Sequence, residues 1–399
     1  MEKGNWKRKT LFFLISQCIT LFGSTLVQMA IVWYITLKTE SGAWVAAVSI
    51  CSYLPQFLIS FVGGVWADRY SRKKLIILSD GMIAAVTFLM ILAIPAISSD
   101  SLLIGALLVM SVIRSIGAGI QMPAVNAVIP QLVPENALMR YNGINATMQS
   151  IVQFISPAAA GLILTSATLQ RALAVDVFTA IVGISLLCFV AIPKQKMQKR
   201  ERSVFDDMKT GIQYSFSDKT IGTLLIIYGI FILLCVPAGF MSGVLVSRVY
   251  GDTYWYLTAV ELTGFAGMAL GGAFIGIKGE VHSRIKTLIA GFFIFGTTAI
   301  CMGISHNFLF YLIMMFLYGI ALTMIQTAMT TMIQETPEHS MQGRVFGLMG
   351  AMYSGFLPIG MAVFGPMADV IPLQWIMVGS GIGLIFIAVF IKFYFKFAE

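Results

Sequence analysis

Hydrophobic residues occur in long runs, and each run is separated from the next by a polar connection that is mostly short. A run of about 20 apolar residues is long enough to cross a bilayer as a helix. The first run, Leu11–Leu37, is too long for the apolar core of a signal peptide and counts as a span. We predict an all-α integral membrane protein with twelve spans, at about residues 11–37, 44–66, 75–95, 101–122, 141–166, 171–192, 220–247, 254–277, 286–304, 308–333, 343–367 and 374–396.

The connection at 193–219 differs from the others because it is long and rich in charge. It predicts an N-terminal six-helix bundle at 1–192, a cytoplasmic linker at 193–219 and a C-terminal six-helix bundle at 220–399. The halves resemble each other, since QLVPENALMRYNG at 131–143 has a counterpart in QETPEHSMQGRVFG at 334–347, and the glycine pair that starts at Gly63 has one at Gly271. Two related six-helix halves are typical of transporters with a substrate path between them.

Charged residues are few, and their distribution predicts the orientation of the chain. Only 11% of residues are charged and 58% are hydrophobic, which excludes a soluble domain of ordinary composition. Most of the 26 Lys and Arg fall in connections on the same side as both termini. Because short basic connections stay in the cytoplasm, we expect cytoplasmic termini, and contact with membrane lipids of the inner leaflet. The net charge of +8 therefore does not indicate a nucleic-acid partner.

The sequence also excludes several kinds of chemistry. The five cysteines lie in apolar runs and the three histidines are scattered, which indicates neither a disulfide framework nor a metal site. The phosphate-binding pattern G-x-x-x-x-G-K-[ST] is absent, so ATP-driven export by this chain is excluded. We expect no enzyme activity and no cofactor, and an ion gradient or the substrate's own gradient as the energy source.

The connection between the second and third spans carries a recognisable motif. Gly64-Val-Trp-Ala-Asp68-Arg69-Tyr-Ser71-Arg72-Lys73 resembles the signature G-x-L-A-D-R-x-G-R-[RK] of the major facilitator superfamily, with Trp66 for Leu and Ser71 for Gly. Arg114-Ser-Ile-Gly117-Ala-Gly119 is similar to the arginine motif of that family's fourth helix. The opening MEKGNWKRK and Gly343-Arg344-Val345-Phe346 look most like the macrolide-efflux branch of its drug:proton antiporters. The resemblance covers nearly the whole chain and implies drug export by alternating access.

The fifth span departs from the antiporter pattern. Of the motif G-x-x-x-G-P-x-x-G-G, only Ser156-Pro157-Ala-Ala-Ala-Gly161 remains. Pro157 and Gly161 are therefore expected to keep a role in helix packing.

The resemblance assigns Asp68, Arg72 and Gly64 to a cytoplasmic gate. Asp68 would cap the eleventh span or pair across the two halves while the cytoplasmic side is closed, and would lose that contact on opening. The alternative is a solvated loop that only sets topology, which is our expectation for Lys73 and Lys74.

Arg114 lies well inside the fourth span. A cation there costs about 2.5–3.5 kcal/mol on insertion scales unless it finds water or a partner. One explanation is that its long stem reaches the interface. The resemblance instead implies an arginine that faces the cavity and tunes a nearby carboxylate or positions substrate.

Several acidic residues lie in or next to spans. Glu261 is the strongest candidate for a proton carrier or a counter-ion for a basic drug, because no oppositely charged residue neighbours it on its helix. A structural hydrogen bond between helices is the alternative. Asp176 is either an outer-gate carboxylate or an interfacial residue. Asp80 is expected to complete the charge cluster that begins at Asp68, and Asp369 is expected to be exposed.

We predict a multi-pass protein of the bacterial plasma membrane, monomeric, that exports hydrophobic or amphipathic, macrolide-like drugs by proton antiport. Its partners would be a small hydrophobic substrate, protons and membrane lipids. Protonation of Glu261, or alternatively of Asp176, would favour drug release. An importer or lipid flippase of the same fold, or a non-transporting partner of an efflux ATPase, remains open as an alternative.

Overall fold

The computed structural model describes residues 5–192, 212–278, 284–337 and 341–396, and nearly all of these are helical. Twelve helical spans among them are long and apolar enough to cross a membrane, which confirms the predicted all-α membrane fold. The helices are α1 (Asn5–Thr39), α2 (Gly42–Arg69), α3 (Arg72–Ala93), α4 (Asp100–Leu132), α5 (Glu135–Ser166), α6 (Leu169–Cys188), α7 (Lys219–Gly239), α8 (Ser242–Val249), α9 (Tyr254–Lys278), α10 (Arg284–Ile304), α11 (Phe308–Glu335), α12 (Gln342–Val370) and α13 (Leu373–Lys396). Together α7 and α8 form one span.

The chain folds as two compact units. The first contains residues 1–38 and 47–199, and the second contains residues 39–46 and 200–399. Most of the predicted linker, residues 193–211, lies outside the described residues. Shortly after the description resumes, the carboxylate of Asp218 accepts hydrogen bonds from the backbone amides of Thr220 and Ile221. This N-cap satisfies donors that the first turn of α7 would otherwise leave unpaired.

One end of the first unit, where α2 ends and α3 begins, carries the cations between Arg69 and Lys74, and we call it the basic end. Just inside it, buried side chains from α1, α2, α3, α4 and α6 pack together. This apolar cluster contains Phe13, Leu14, Ala67, Leu75, Ile76, Ala124, Val128, Ile129, Leu132 and Leu187, with Val133 and Val190. It closes the interior of the unit from its basic end.

In the second unit, two helices cross at glycines. A methyl group at Gly267 on α9 would overlap the carbonyl oxygen of Phe316 on α11, and one at Gly319 on α11 would overlap that of Gly264 on α9. The two backbones therefore approach closely, which is the usual reason for small residues between membrane helices.

Residues 39–46, which include the start of α2, belong to the second unit, and some of them bind Asp369. The carboxylate of Asp369, at the end of α12, accepts hydrogen bonds from the backbone amides of Gly42 at 2.7 Å and Ala43 at 3.0 Å. It also accepts one from Arg248 at 2.7 Å. Asp369 is exposed, as expected, and acts as a cap for the N-terminus of α2.

Candidate functional site

Arg114 and Asp176 form an ion pair inside the first unit. Arg114 projects from α4 and Asp176 from α6, and Nη1 of the guanidinium donates to Oδ2 of the carboxylate. Their side chains are 8% and 2% exposed, so neither is solvated at an interface. The guanidinium thus reaches a carboxylate of another helix, and not the membrane surface as the snorkelling alternative would have it.

Hydroxyl groups from two further helices complete this cluster. Thr87 on α3 accepts a hydrogen bond from Nη1 of Arg114, and its Oγ1 lies 3.2 Å from Oδ2 of Asp176. Ser24 on α1 donates to the other carboxylate oxygen at 3.3 Å. The four residues come from four helices of one unit. A change of charge at Asp176 would therefore alter polar contacts of all four helices. Sequence reasoning found Arg114 and Asp176 separately but did not pair them.

Asp80 lies in the interior of the first unit, so the expectation that it completes the charge cluster that begins at Asp68 was wrong. Its residue is 5% exposed, on the buried face of α3, and Gln121 on α4 donates to its Oδ1 at 2.6 Å. Its Oδ2 is buried and has no hydrogen-bond partner among the described residues. The reason is geometric, because Asp80 lies eight positions, or about 12 Å, farther along α3 than Arg72, among the buried residues Ile76 and Ile83.

Two cations of the basic end, Arg72 and Lys73, bind backbone carbonyls of neighbouring helices. Arg72 donates from Nε to the Ala67 carbonyl at 3.0 Å and from Nη1 to the Ala127 carbonyl at 2.6 Å, so it links α2 to α4. Lys73 donates to the carbonyls of Cys188 at 2.7 Å and Val190 at 2.9 Å, where α6 ends. A cation at the C-terminal end of a helix binds carbonyls that lack a partner within the helix, and it interacts favourably with the helix dipole. Lys73 therefore does more than set topology.

The other residues assigned to the gate and to the fifth span have fewer contacts. The side chain of Asp68 lies outside the described part of the structure, so its role in the gate stays a prediction. Gly64 has open space where a Cβ would stand, and no close helix contact requires a glycine there. Pro157 and Gly161 are both buried in α5.

Glu261 is the candidate carboxyl of the second unit. It is half-buried on α9 and makes no hydrogen bond or ion pair with any residue that the structure describes. On α11, Tyr311 and Tyr318 lie within electrostatic range of it. The hydroxyl of Tyr311 is fully buried and likewise lacks a hydrogen-bond partner in the described segments. Glu261 is thus a protonatable side chain that has no counter-ion among the described residues.

Comparison with known proteins gives consistent relatives over nearly the whole chain. The family described as transmembrane secretion effector matches residues 8–399. Macrolide efflux protein A of Streptococcus pyogenes is 29% identical over 394 residues, which cover 98% of this chain and 96% of the relative. Macrolide efflux protein A of Enterococcus faecalis is 28% identical over 324 residues, which cover 80% of this chain and 99% of the relative.

Solved structures show the same fold at much lower sequence similarity. The nucleoside transporter NupG matches with a TM-score of 0.73 at 13% identity, over 97% of this chain and 99% of that one. At this identity the similarity concerns the arrangement of the helices and does not indicate the substrate of this chain.

Proposed function

Because the chain belongs to the transmembrane secretion effector family of the major facilitator superfamily, we propose that it exports hydrophobic, macrolide-like compounds in exchange for protons. The observation that carries the substrate class is the similarity to macrolide efflux protein A over almost the full length of both chains. Proton exchange is supported by carboxyl groups held inside membrane spans, where each charge is costly unless it is paired or hydrated.

Glu261 is the proposed exchange site. A carboxylate without a counter-ion in an apolar span is best accommodated as the neutral acid, and it becomes ionised when water or a cationic drug reaches it. Proton binding and drug binding at this residue then exclude one another. This competition is what an antiporter needs, because each ligand favours the conformation that releases the other.

Arg114 and Asp176 are proposed to respond to protonation in the first unit. A proton on Asp176 would cancel the negative charge that binds Arg114. The hydroxyls of Thr87 and Ser24 would then contact a neutral carboxylic acid. The unit would then have to rearrange its helices or admit water to the guanidinium. Asp176 is thus the alternate proton carrier, and Arg114 is the group whose ion pair depends on the charge of Asp176.

The proposed cycle moves the two six-helix halves, at 1–192 and 220–399, about a central substrate path. Asp68, Arg72 and Gly64 form the proposed cytoplasmic gate, with both termini on the cytoplasmic side of the bacterial plasma membrane. For Arg72 the support is that it binds backbone carbonyls of α2 and α4 at the basic end, where the gate is proposed. Pro157 and Gly161 are proposed to let α5 pack closely during the movement, and the monomer is proposed as the working unit.

The test is proton release and drug transport by the purified chain. We expect macrolide added to the protein in weakly buffered detergent solution to release protons, and reconstituted protein to move macrolide under an imposed pH gradient. Glu261→Gln should abolish gradient-driven transport. The matched control is Asp252→Asn, which neutralises an exposed carboxyl just before α9 and should behave as wild type.

Each alternative predicts a different result in the same system. An importer or lipid flippase would move macrolide in the wrong direction or not at all. A partner of an efflux ATPase would move nothing as a single chain. If Glu261→Gln kept full gradient-driven export, the assignment of Glu261 as the exchange site would be wrong.

A further inference from the structure

The interface of α3 and α4 contains two polar contacts at equal spacing. Asp80 meets Gln121 nearer the basic end, and Thr87 meets Arg114 farther inside. The two contacts are seven residues apart on each helix, which is about 10 Å along an α-helix. Between them Ile83 packs against Gly117, where a methyl group would come within 2.7 Å of Ile83 Cγ1. An apolar layer therefore separates Asp80 from the Arg114–Asp176 pair.

The partners of Asp80 suit a neutral acid and not a carboxylate. One carboxyl oxygen accepts a hydrogen bond from an uncharged amide, and the other is buried without a partner among the described residues. An ionised carboxylate in that environment would carry a large uncompensated desolvation cost. The protonated form avoids most of that cost, and it keeps the hydrogen bond from Gln121.

The charges around Asp80 do not compensate it either. Arg114 on α4 lies beyond the apolar layer and is bound to Asp176, and the carboxylate of Asp176 on α6 lies within electrostatic range of Asp80. On α3 itself, Arg72 and Lys73 donate to backbone carbonyls at the basic end. Among the described residues, no cation is therefore bound to Asp80.

Asp80 is also closed from the basic end. Leu75 and Ile76 precede it by about one turn on α3, and Ala124 and Val128 follow Gln121 by one to two turns on α4. These residues belong to the apolar cluster, which would have to separate before water could reach the carboxyl.

We infer that Asp80, which is bound by Gln121, is a further proton-binding carboxyl, which carries its proton in this conformation and releases it when the apolar cluster opens. On opening, the O–H bond of the acid breaks and the proton passes to water that enters from the basic end. The carboxylate left behind is then hydrated and keeps the bond from Gln121. The inference rests on the proposed proton exchange and adds to it a carboxyl of the first unit that is separate from both Glu261 and Asp176.

The test separates proton coupling from transport. Asp80→Asn has the size and hydrogen-bonding capacity of the neutral acid but has no proton to release. We expect it to bind macrolide and to exchange labelled macrolide across a liposome without a gradient at about the wild-type rate. Its uphill export under a pH gradient should fall at least about tenfold, and fewer protons should be released per macrolide bound. Asp100→Asn, at an exposed site, is the matched control and should keep wild-type values.

The outcomes distinguish this inference from the proposed function. If wild-type protein releases no proton on macrolide binding, proton antiport itself fails. If wild type releases protons and Asp80→Asn releases as many, and exports as well, only the role of Asp80 is overturned. If Asp80→Asn also loses binding and exchange while Asp80→Glu restores neither, Asp80 is a packing residue and the inference is likewise wrong.

Discussion

Asp176→Asn is expected to destabilise the protein strongly, although it changes few atoms. The side chains of Asp176 and Arg114 are 2% and 8% exposed, so the charge that remains has little access to water. Removal of one member of a buried ion pair typically costs about 3–5 kcal/mol. An arginine does not lose its proton in a protein, so Arg114 would stay charged. Because asparagine still offers an acceptor oxygen, we expect a loss of stability at the lower end of this range, about 3 kcal/mol.

The change at the other member of the pair, Arg114→Gln, should destabilise the protein less than Asp176→Asn does. Arg114→Gln leaves Asp176 without its cation, but a carboxyl can become neutral by binding a proton. That variant should therefore become more stable as the pH is lowered, whereas Asp176→Asn should not. The double variant carries neither charge and should be more stable than Asp176→Asn alone.

Thermal stability of the purified variants measures this directly. Each variant is heated in the same detergent at several pH values, and the folded fraction is followed by size-exclusion chromatography. The exposed pair of Lys38 and Asp100 is the control, since its side chains are 47% and 68% exposed and its loss should cost less than about 1 kcal/mol. The reasoning is refuted if Asp176→Asn is as stable as wild type, or if the double variant is no more stable than Asp176→Asn.

Three further predictions use single side chains, with thermal stability as the measurement. Tyr311→Phe removes a buried hydroxyl that has no partner among the described residues and should leave stability unchanged or higher, whereas Tyr250→Phe loses a 2.8 Å hydrogen bond and should cost about 1 kcal/mol. A stability loss for Tyr311→Phe as large as that for Tyr250→Phe would contradict this. Gly319→Ala would overlap a backbone carbonyl of α9 and should cost about 1–3 kcal/mol, and Gly379→Ala, with open space, should cost little. Equal effects of the two glycine changes would show that the crossing is not as close as described. Arg72→Ala frees two carbonyls at the basic end and should cost about 1–3 kcal/mol, so an unchanged melting temperature would exclude Arg72 as a link between α2 and α4.

The fold was predictable because the signals for it are local. The length of an apolar run decides whether a helix crosses the membrane, and each of the twelve spans carries that signal in its own residues. The motif at Gly64–Lys73 is also local, and it indicated the superfamily before any contact was known. Where helices extend past the predicted spans, as α4 does to Leu132, the backbone stays helical beyond the apolar stretch.

The candidate site was only partly predictable. The cost of charge in a membrane singles out Arg114, Asp176 and Glu261 from sequence alone. Their partners are not local, since Arg114 and Asp176 are 62 residues apart and on different helices. Asp80 was placed with the nearby cations because it is close to them along the chain, and its contact with Gln121 was not foreseen.

The sequence by itself therefore determined the number of spans, the superfamily and which residues are costly to bury. Only the tertiary structure decided which of them are paired and which are not. The physical reason is that hydrophobic length and charge are properties of a segment, whereas a hydrogen bond depends on which faces of two helices meet. That choice leaves Arg114 with a carboxylate, Asp80 with an amide, and Glu261 without a counter-ion in the described structure.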